Sequence, residues 1–383
     1  MAVAISEKLM ATSSTKPVMV KEVWAGNLEF ELRQIRQAIP YYPVVTIDTE
    51  FPGTIYKADR DKISNNPSYN YAFMKANVDE LNIIQLGLTV SDEYGNLPDF
   101  GSACSYIWEF NFCDFDIDQD PHDPDSIELL KRQGIDFRRN KEEGVDSMEF
   151  SRLLFEYEIV SENLSLAWLT FHGAYDFGFL VKILSGGQEL PSELDCFIEE
   201  LECYLGDWVY DTKVVSKSYN LYGGLEKMAK ELGVERIAGR SHQAGSDSLL
   251  TMQTFMRLQE HYSSDDISDL NEFGLLLYGL EVPNVSEFRR FDGVLPSPYH
   301  TETIDLCPVQ INYNWGELGQ AHFKEHFGDG VYQQQRRSSL WWSASFVLGS
   351  SWDTKVGGQD LCCFDCGGFG FNLMDQLSKI IAG

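Results

Sequence analysis

The stretch VVTIDTEFPG, residues 44–53, places two carboxylates, Asp48 and Glu50, directly behind a run of β-forming residues. Side chains of an extended strand alternate between faces, so Asp48 and Glu50 point the same way. A buried strand that ends in paired negative charge needs something polar or positive to meet it: water, an arginine or a metal ion. The pair decides little by itself. With 59 acidic residues in 383, chance supplies about nine acidic-x-acidic pairs, and a solvated strand end is the ordinary reading of any one of them.

Outward from this strand, the segment VWAGNLEFELRQIRQAI (23–39) carries apolar residues near helical spacing and predicts a helix. Downstream, LNIIQLGLTV (81–90) and SYIWEFNF (105–112) read as strands around the turn EYGNLPDFG, which predicts an antiparallel hairpin. DQDPHDPDSIELLKRQGI holds a helix start at Asp125 or Ser126. From residue 165 the pattern alternates. SLAWLTF (165–171) is a strand, AYDFGFLVKIL a helix, DWVYDTK (207–213) a short strand, and GGLEKMAKELG a helix closed by Gly233. SHQAGSDSLLTMQTFMRLQEHY is a further helix. Three antiparallel strands followed by alternating helix and strand predict an α/β fold: a mixed sheet flanked by helices on both faces.

Composition bounds what such a fold does. A hydrophobic fraction of 43% with 13% aromatics describes a globular chain. No run of eighteen apolar residues appears, so no membrane span and no membrane partner are expected. The opening MAVAISEKLMATSSTKP lacks the pattern of a secretory signal. Eight cysteines without framework spacing suit a reducing compartment, so nucleus or cytoplasm is expected. The net charge of −29 argues against binding nucleic acid through a broad basic patch. Either the substrate is not a polyanion, or contact is local and mediated by cations.

Two further sites join the first. In HGAYDFGFLVKIL, Asp176 sits in the first turn of an apolar helix, where the macrodipole favours a carboxylate. His172, at the strand end, reads as a satisfied structural histidine. In SHQAGSDSLLT, His242 and Asp247 lie five apart, with Asp247 on the helix and His242 at or before its start. Taken alone, each has a bland reading as a solvated helix terminus. Together, four carboxylates at strand ends and helix openings predict convergence at one edge of the sheet. Close pairs of like charge in a partly dry cleft repel by several kcal/mol. Hard divalent cations such as Mg²⁺ resolve that repulsion through oxygen ligands and substrate phosphate. Two such ions about 3.5–4 Å apart activate a water and stabilise the leaving oxygen in phosphodiester hydrolysis. A neutral histidine beside that water is the natural general base.

The order Asp-x-Glu, HGAYD, His-x4-Asp resembles the DEDDh branch of 3′→5′ exonucleases, which implies a ribonuclease-H-like fold. The fuller stretches VW..NLEFELRQI, DTEFPG, IIQLGLT, DPHDPDSIELLKRQGIDF, FHGAYDFGFLVK and HQAGSDSLLT resemble the CCR-four-associated factor one (Caf-one or Pop-two) messenger-RNA deadenylases, especially plant forms. The likeness covers roughly residues 18–282. It implies a poly(A)-specific 3′→5′ exoribonuclease that releases 5′-AMP with two divalent cations, Mg²⁺ or another such as Mn²⁺. It also implies poly(A) RNA as substrate and membership of the large eukaryotic deadenylase complex, with a scaffold subunit and a leucine-rich-repeat partner nuclease. By the same resemblance, Asp48 bridges both metals, Glu50 holds the catalytic ion and its water, Asp247 binds that ion and Asp176 the second. His242 accepts the water's proton. Phe51 packs against the terminal nucleotide or serves as ordinary core. Asp211 in VYDTK is expected to cap the next turn. Two rival readings share these residues: an exonuclease of the same branch acting on other RNA or DNA ends, and a bridging subunit whose chemistry is secondary or lost.

The chain thus divides into a polar N-terminal segment (1–17), a nuclease domain (18–282) and a C-terminal extension (283–383) of unassigned fold, read as a poorly ordered appendage. Within the extension, CCFDC (362–366) tempts a zinc reading. His300, His322 and His326 do not supply a second ligand pair at a known spacing, so no zinc is expected.

Overall fold

The computed structural model describes residues 16–57, 66–160, 165–262 and 270–281. The expectations for residues 283–383, CCFDC and the three histidines included, lie outside the described residues, as does most of the polar N-terminal segment.

Six strands form one mixed sheet: β1 (Val18–Val23), β2 (Val44–Glu50), β3 (Gln85–Ser91), β4 (Ser105–Asn111), β5 (Ala167–Thr170) and β6 (Val209–Asp211), in the order β1-β4-β3-β2-β5-β6. β2, β3 and β4 are antiparallel neighbours, as the turn between the last two predicts. β5 pairs parallel with β2, and β6 parallel with β5. β2 is therefore one joint of the sheet, antiparallel on one side and parallel on the other. This is the mixed, helix-flanked sheet that the ribonuclease-H-like resemblance implies.

Two differences from the sequence reading concern the start. The helix expected over 23–39 is shorter, α1 (Leu28–Ala38), because Asn27 closes a turn onto the Trp24 backbone N–H at 2.8 Å before the helix begins. The residues ahead of it form β1, which lies parallel to β4 at the sheet edge. A helix over Pro67–Glu80 (α2) was not anticipated either. The other expected elements fall within a few residues of their predicted bounds. α3 (Pro124–Gln133) starts behind Asp123, whose carboxylate caps the Ser126 N–H, with Pro124 at the first helical position. After α4 (Phe137–Glu143) and α5 (Ser147–Glu156) come α6 (Ala174–Leu184), α7 (Leu194–Leu205), α8 (Thr212–Ser218), α9 (Leu225–Glu231) and α10 (Ala244–Tyr262), of which α4, α5, α7 and α8 also lie outside the sequence reading.

The main core lies on the face of Val45 and Ile47, where apolar residues of α1, α2, α5, α6 and α7 pack on the sheet. α10 covers the opposite face, with large apolar contacts along its length and small residues where its start meets β3. Gly87 of β3 faces Asp48 across the ladder, and Thr89 Oγ1 meets Ser248 Oγ at 2.9 Å. A Cβ built on Gly87 would stand 1.9 Å from the Ala244 carbonyl oxygen. Only a glycine lets the first turn of α10 come down onto the sheet at that point, and that close approach brings His242 and Asp247 to the end of β2.

Candidate metal-carboxylate site

The site forms where β2 and β5 end and where α6 and α10 begin, one helix on each face of the sheet. β2 delivers Asp48, partly exposed, and Glu50, buried, on the face that α10 covers. α6 delivers Asp176 from its first turn. The Thr49 N–H and hydroxyl donate to Asp176 Oδ1 at 2.9 and 2.5 Å, and the Thr170 hydroxyl donates to Oδ2 at 2.9 Å. Two strand-end threonines thus fix this buried carboxylate, one from each strand that flanks the cleft.

α10 delivers Asp247 from its first turn, and His242 precedes that helix with a left-handed backbone at φ 60°. The His242 N–H donates to Asp247 Oδ2 at 2.8 Å, so the aspartate holds the histidine's loop as well as facing the cleft. One ligand atom each from Glu50, His242 and Asp247 lie within 4.8 Å of one another. Four of the five predicted residues carry a carboxylate, and all four are drawn into one cluster. The exposed imidazole of His242 stands at its rim.

The electrostatics show a cluster short of positive charge. Burial and the neighbouring Asp176, Asp247 and Glu50 push Asp48 well above the ordinary carboxylate range. Burial, Asp247, Asp176 and Glu109 do the same to Glu50. Asp176 rises to about 6 by burial, against the pull of its threonine donors. Asp247 also rises by burial, although Arg236 opposes the shift. Buried oxygen donors that repel one another, with an imidazole beside them, suit a hard divalent cation better than a soft one. The residues present fit the cations expected from the sequence.

The remaining predicted residues are placed differently. His172 is structural, as read. Its N–H donates to Asp211 at 2.8 Å and its ring meets Tyr278 edge-on at 4.9 Å. Burial and nearby Lys213 lower its pKa to about 4, which keeps it neutral. Asp211 accepts backbone N–H groups from His172, Gly173, Lys213 and Tyr278, so it caps α8 and ties the 278 segment to the sheet. Phe51 stacks on Tyr175 (centroids 5.0 Å, 14° between planes) and meets Phe179 at a tilt, partly buried against the core. Three contributors escaped the sequence reading. Gly87 sits inside an ordinary strand pattern, and Glu109 of β4 accepts the Gly245 N–H at 3.2 Å. Arg236 donates to Asp247 Oδ1 at 2.5 Å from eleven residues away, a spacing with no local signature.

The family model described as "CAF1 family ribonuclease" matches residues 23–152. A probable CCR4-associated factor 1 homolog 7 of Arabidopsis thaliana is 46% identical over 269 residues, covering 70% of this chain and 95% of that protein. The chain belongs to the CAF1 family of ribonucleases. A further CAF1 relative, the poly(A) ribonuclease pop2 of Schizosaccharomyces pombe, is 38% identical over 294 residues, 73% of this chain and 83% of that one. The Mg²⁺- and Mn²⁺-bound structure of S. pombe Pop2p superimposes with a TM-score of 0.61 at 38% identity, over 68% of this chain and 99% of that one. Yeast CAF1 co-crystallized with the NOT1 MIF4G domain gives 0.57 at 35% identity, over 68% and 96%. Among the described residues of this CAF1-family chain, no helix is long and apolar enough to cross a membrane.

Proposed function

We propose that this CAF1-family ribonuclease shortens the 3′ poly(A) ends of messenger RNA, releasing 5′-AMP, and that Asp48, Glu50, Asp176, Asp247 and His242 carry the reaction. The observation that supports this reading most directly is the convergence of four mutually repelling carboxylates on the strand end beside an exposed imidazole. These carboxylates would hold two divalent cations, Mg²⁺ or Mn²⁺, which when bound supply charge neutralisation at the phosphate and a water acidic enough to attack it. The Mg²⁺- and Mn²⁺-bound structure of the Pop2p relative supports divalent cations of this kind.

The chain's own residues do the rest. Thr49 and Thr170 hold Asp176 in one orientation, so its oxygens need no reorganisation during the reaction. His242 accepts the proton of the attacking water, from a position fixed by its N–H bond to Asp247. Phe51, braced from behind by Tyr175, offers its remaining surface to the terminal nucleotide. The water's oxygen bonds to phosphorus as the P–O3′ bond breaks; the 3′ oxygen stays on the shortened RNA and takes a proton, and the phosphate leaves as the 5′-phosphate of the released nucleotide. The name of the pop2 relative supports poly(A) as substrate, and the yeast CAF1–NOT1 structure supports a scaffold subunit as partner. A leucine-rich-repeat nuclease as second partner, and a nuclear and cytoplasmic location, belong to the same proposal.

The test is a 5′-labelled RNA ending in adenosines beside one ending in uridines, incubated in Mg²⁺ with the wild-type chain and with Asp48→Ala. The expected result is a ladder that shrinks from the 3′ end of the adenosine substrate, far faster than on uridine, absent in the variant and in EDTA. Equal rates on both RNAs would assign a general exonuclease. No shortening by either protein would assign the bridging role.

A further inference from the structure

Asp247 already has a cationic partner built into the fold. Arg236 Nη2 donates to its Oδ1 at 2.5 Å, with both side chains largely shielded at 16% and 12% exposure. The same guanidinium reaches Glu226 Oε1 at 2.5 Å, the Ser246 hydroxyl, and the Arg240 carbonyl at 3.4 Å. Glu226 is 59% exposed, so solvent screens that pair and it contributes little. The Asp247 pair is the shielded one, and its Coulomb energy is correspondingly larger. Asp247 Oδ2 is engaged as well, by the His242 N–H at 2.8 Å. A carboxylate oxygen has two lone pairs, so Oδ1 can accept the guanidinium and meet a cation at once.

We propose that Arg236 is a positioning residue acting through Asp247: it orients this carboxylate and, by sharing it, lowers the affinity of the site for divalent cations. This rests on the reading of Asp48, Glu50, Asp176 and Asp247 as a cation site with His242 at its rim. The guanidinium is always charged and holds Oδ1 through one N–H while the His242 N–H holds Oδ2, so the two donors together set the carboxylate's orientation. It also repels any cation that Asp247 and Glu50 would hold. The arrangement trades tight holding for a preset geometry, and the cation then exchanges readily at the first turn of α10.

The test is Mn²⁺ binding followed by electron paramagnetic resonance, with melting temperatures in EDTA and in saturating Mn²⁺. The full chain is compared with Arg236→Gln, Arg236→Lys and Glu226→Gln. The unit charge removed in Arg236→Gln should tighten Mn²⁺ binding on the order of ten-fold. The variant should lose stability in EDTA and regain most of it in Mn²⁺, because the ion replaces the missing positive charge. Arg236→Lys keeps the charge and should bind Mn²⁺ within about two-fold of wild type. Glu226→Gln removes only the screened partner and should also bind Mn²⁺ within about two-fold of wild type, and Arg236→Lys keeps the proposal testable even if Arg236→Gln does not fold. Equal or weaker Mn²⁺ binding in Arg236→Gln, the same loss of stability with and without Mn²⁺, or an Arg236→Lys that tightens Mn²⁺ binding by about ten-fold overturns the proposal. Absence of Mn²⁺ binding by the wild-type chain would instead overturn the cation site on which it rests.

Discussion

Glu109 is a carboxylate on the inner part of a sheet, and its neighbours explain both its position and its cost. It lies on β4 opposite Gly87 of β3, which in turn lies opposite Asp48 of β2. The missing side chain at Gly87 lets α10 descend, and Glu109 then receives the Gly245 N–H from that helix's first turn, where the macrodipole favours negative charge. Burial outweighs this and lifts its pKa to about 7, from an ordinary value near 4.5. A carboxyl whose native pKa is raised binds its proton more tightly folded than unfolded, so native stability is lost as pH climbs from about 4.5 through about 7. Glu109→Gln keeps an acceptor for Gly245 and removes the titration. The variant should be more stable than wild type at pH 8, by up to about 3 kcal/mol, and should show no such gain at pH 4.5. Urea unfolding at the two pH values measures it. A variant less stable than wild type at pH 8 would mean that the ionised glutamate is the form the fold needs. Residues of this kind were invisible in the sequence. Asp48, Glu50, Asp176, His242 and Asp247 were legible because each opens or closes an element with a motif around it. Glu109 and Arg236 were not, because their partners are reached only through the tertiary fold.

At the scale of elements, the close docking of α10 is what turns two separate motifs into one site. A methyl group at Gly87 would stand 2.0 Å from the Ala244 carbonyl carbon and 2.4 Å from the Gly245 nitrogen, backbone atoms that no side-chain rotation can move aside. Gly87→Ala should therefore lift the start of α10, costing about 1–3 kcal/mol of stability as overpacking. It should cut nuclease activity on the order of 100-fold, because a shift near 1 Å at reacting groups has that effect. Rates and denaturant midpoints measured on the same preparation separate the two losses. A normal rate in a destabilised variant would show that the helix start moves without carrying His242 and Asp247. The elements easiest to read in the sequence were those with a strong internal pattern, such as β3, buried at every position, and α6, whose bounds were predicted correctly. β1 was missed because it is an edge strand of six residues in which only Val23 is fully buried. α2 was missed because Asn77 occupies one of its core positions. Its side chain there accepts the Ile55 and Tyr56 N–H groups and donates to the Tyr56 carbonyl, an interaction that no apolar periodicity reveals.

At the scale of the whole molecule, a chain of net charge −29 that acts on RNA must gain its contact without a broad positive surface. The structure shows how the positive charge is spent. Lys16 pairs with Asp99, Lys75 with Asp79, Arg139 with Glu22 and Glu143, and Arg152 with Glu149 and Glu156. Each is a cation committed to an acidic neighbour rather than offered to phosphate. Proteins that neutralise six to ten phosphates lose roughly 10³–10⁵ in affinity between 50 and 200 mM salt, because each contact releases condensed counterions. With phosphate met chiefly at the carboxylate site, kcat/KM on adenosine RNA at fixed Mg²⁺ should fall less than about ten-fold over that range. The long-range field acts in the same direction: an acidic surface repels the approaching RNA, and salt screens that repulsion. A fall of about 10³-fold would show that RNA is held through many phosphate contacts outside the carboxylate site. A shallow slope would mean that the cleft itself supplies most of the grip, and that an acidic nuclease depends on its partners to concentrate the RNA around it.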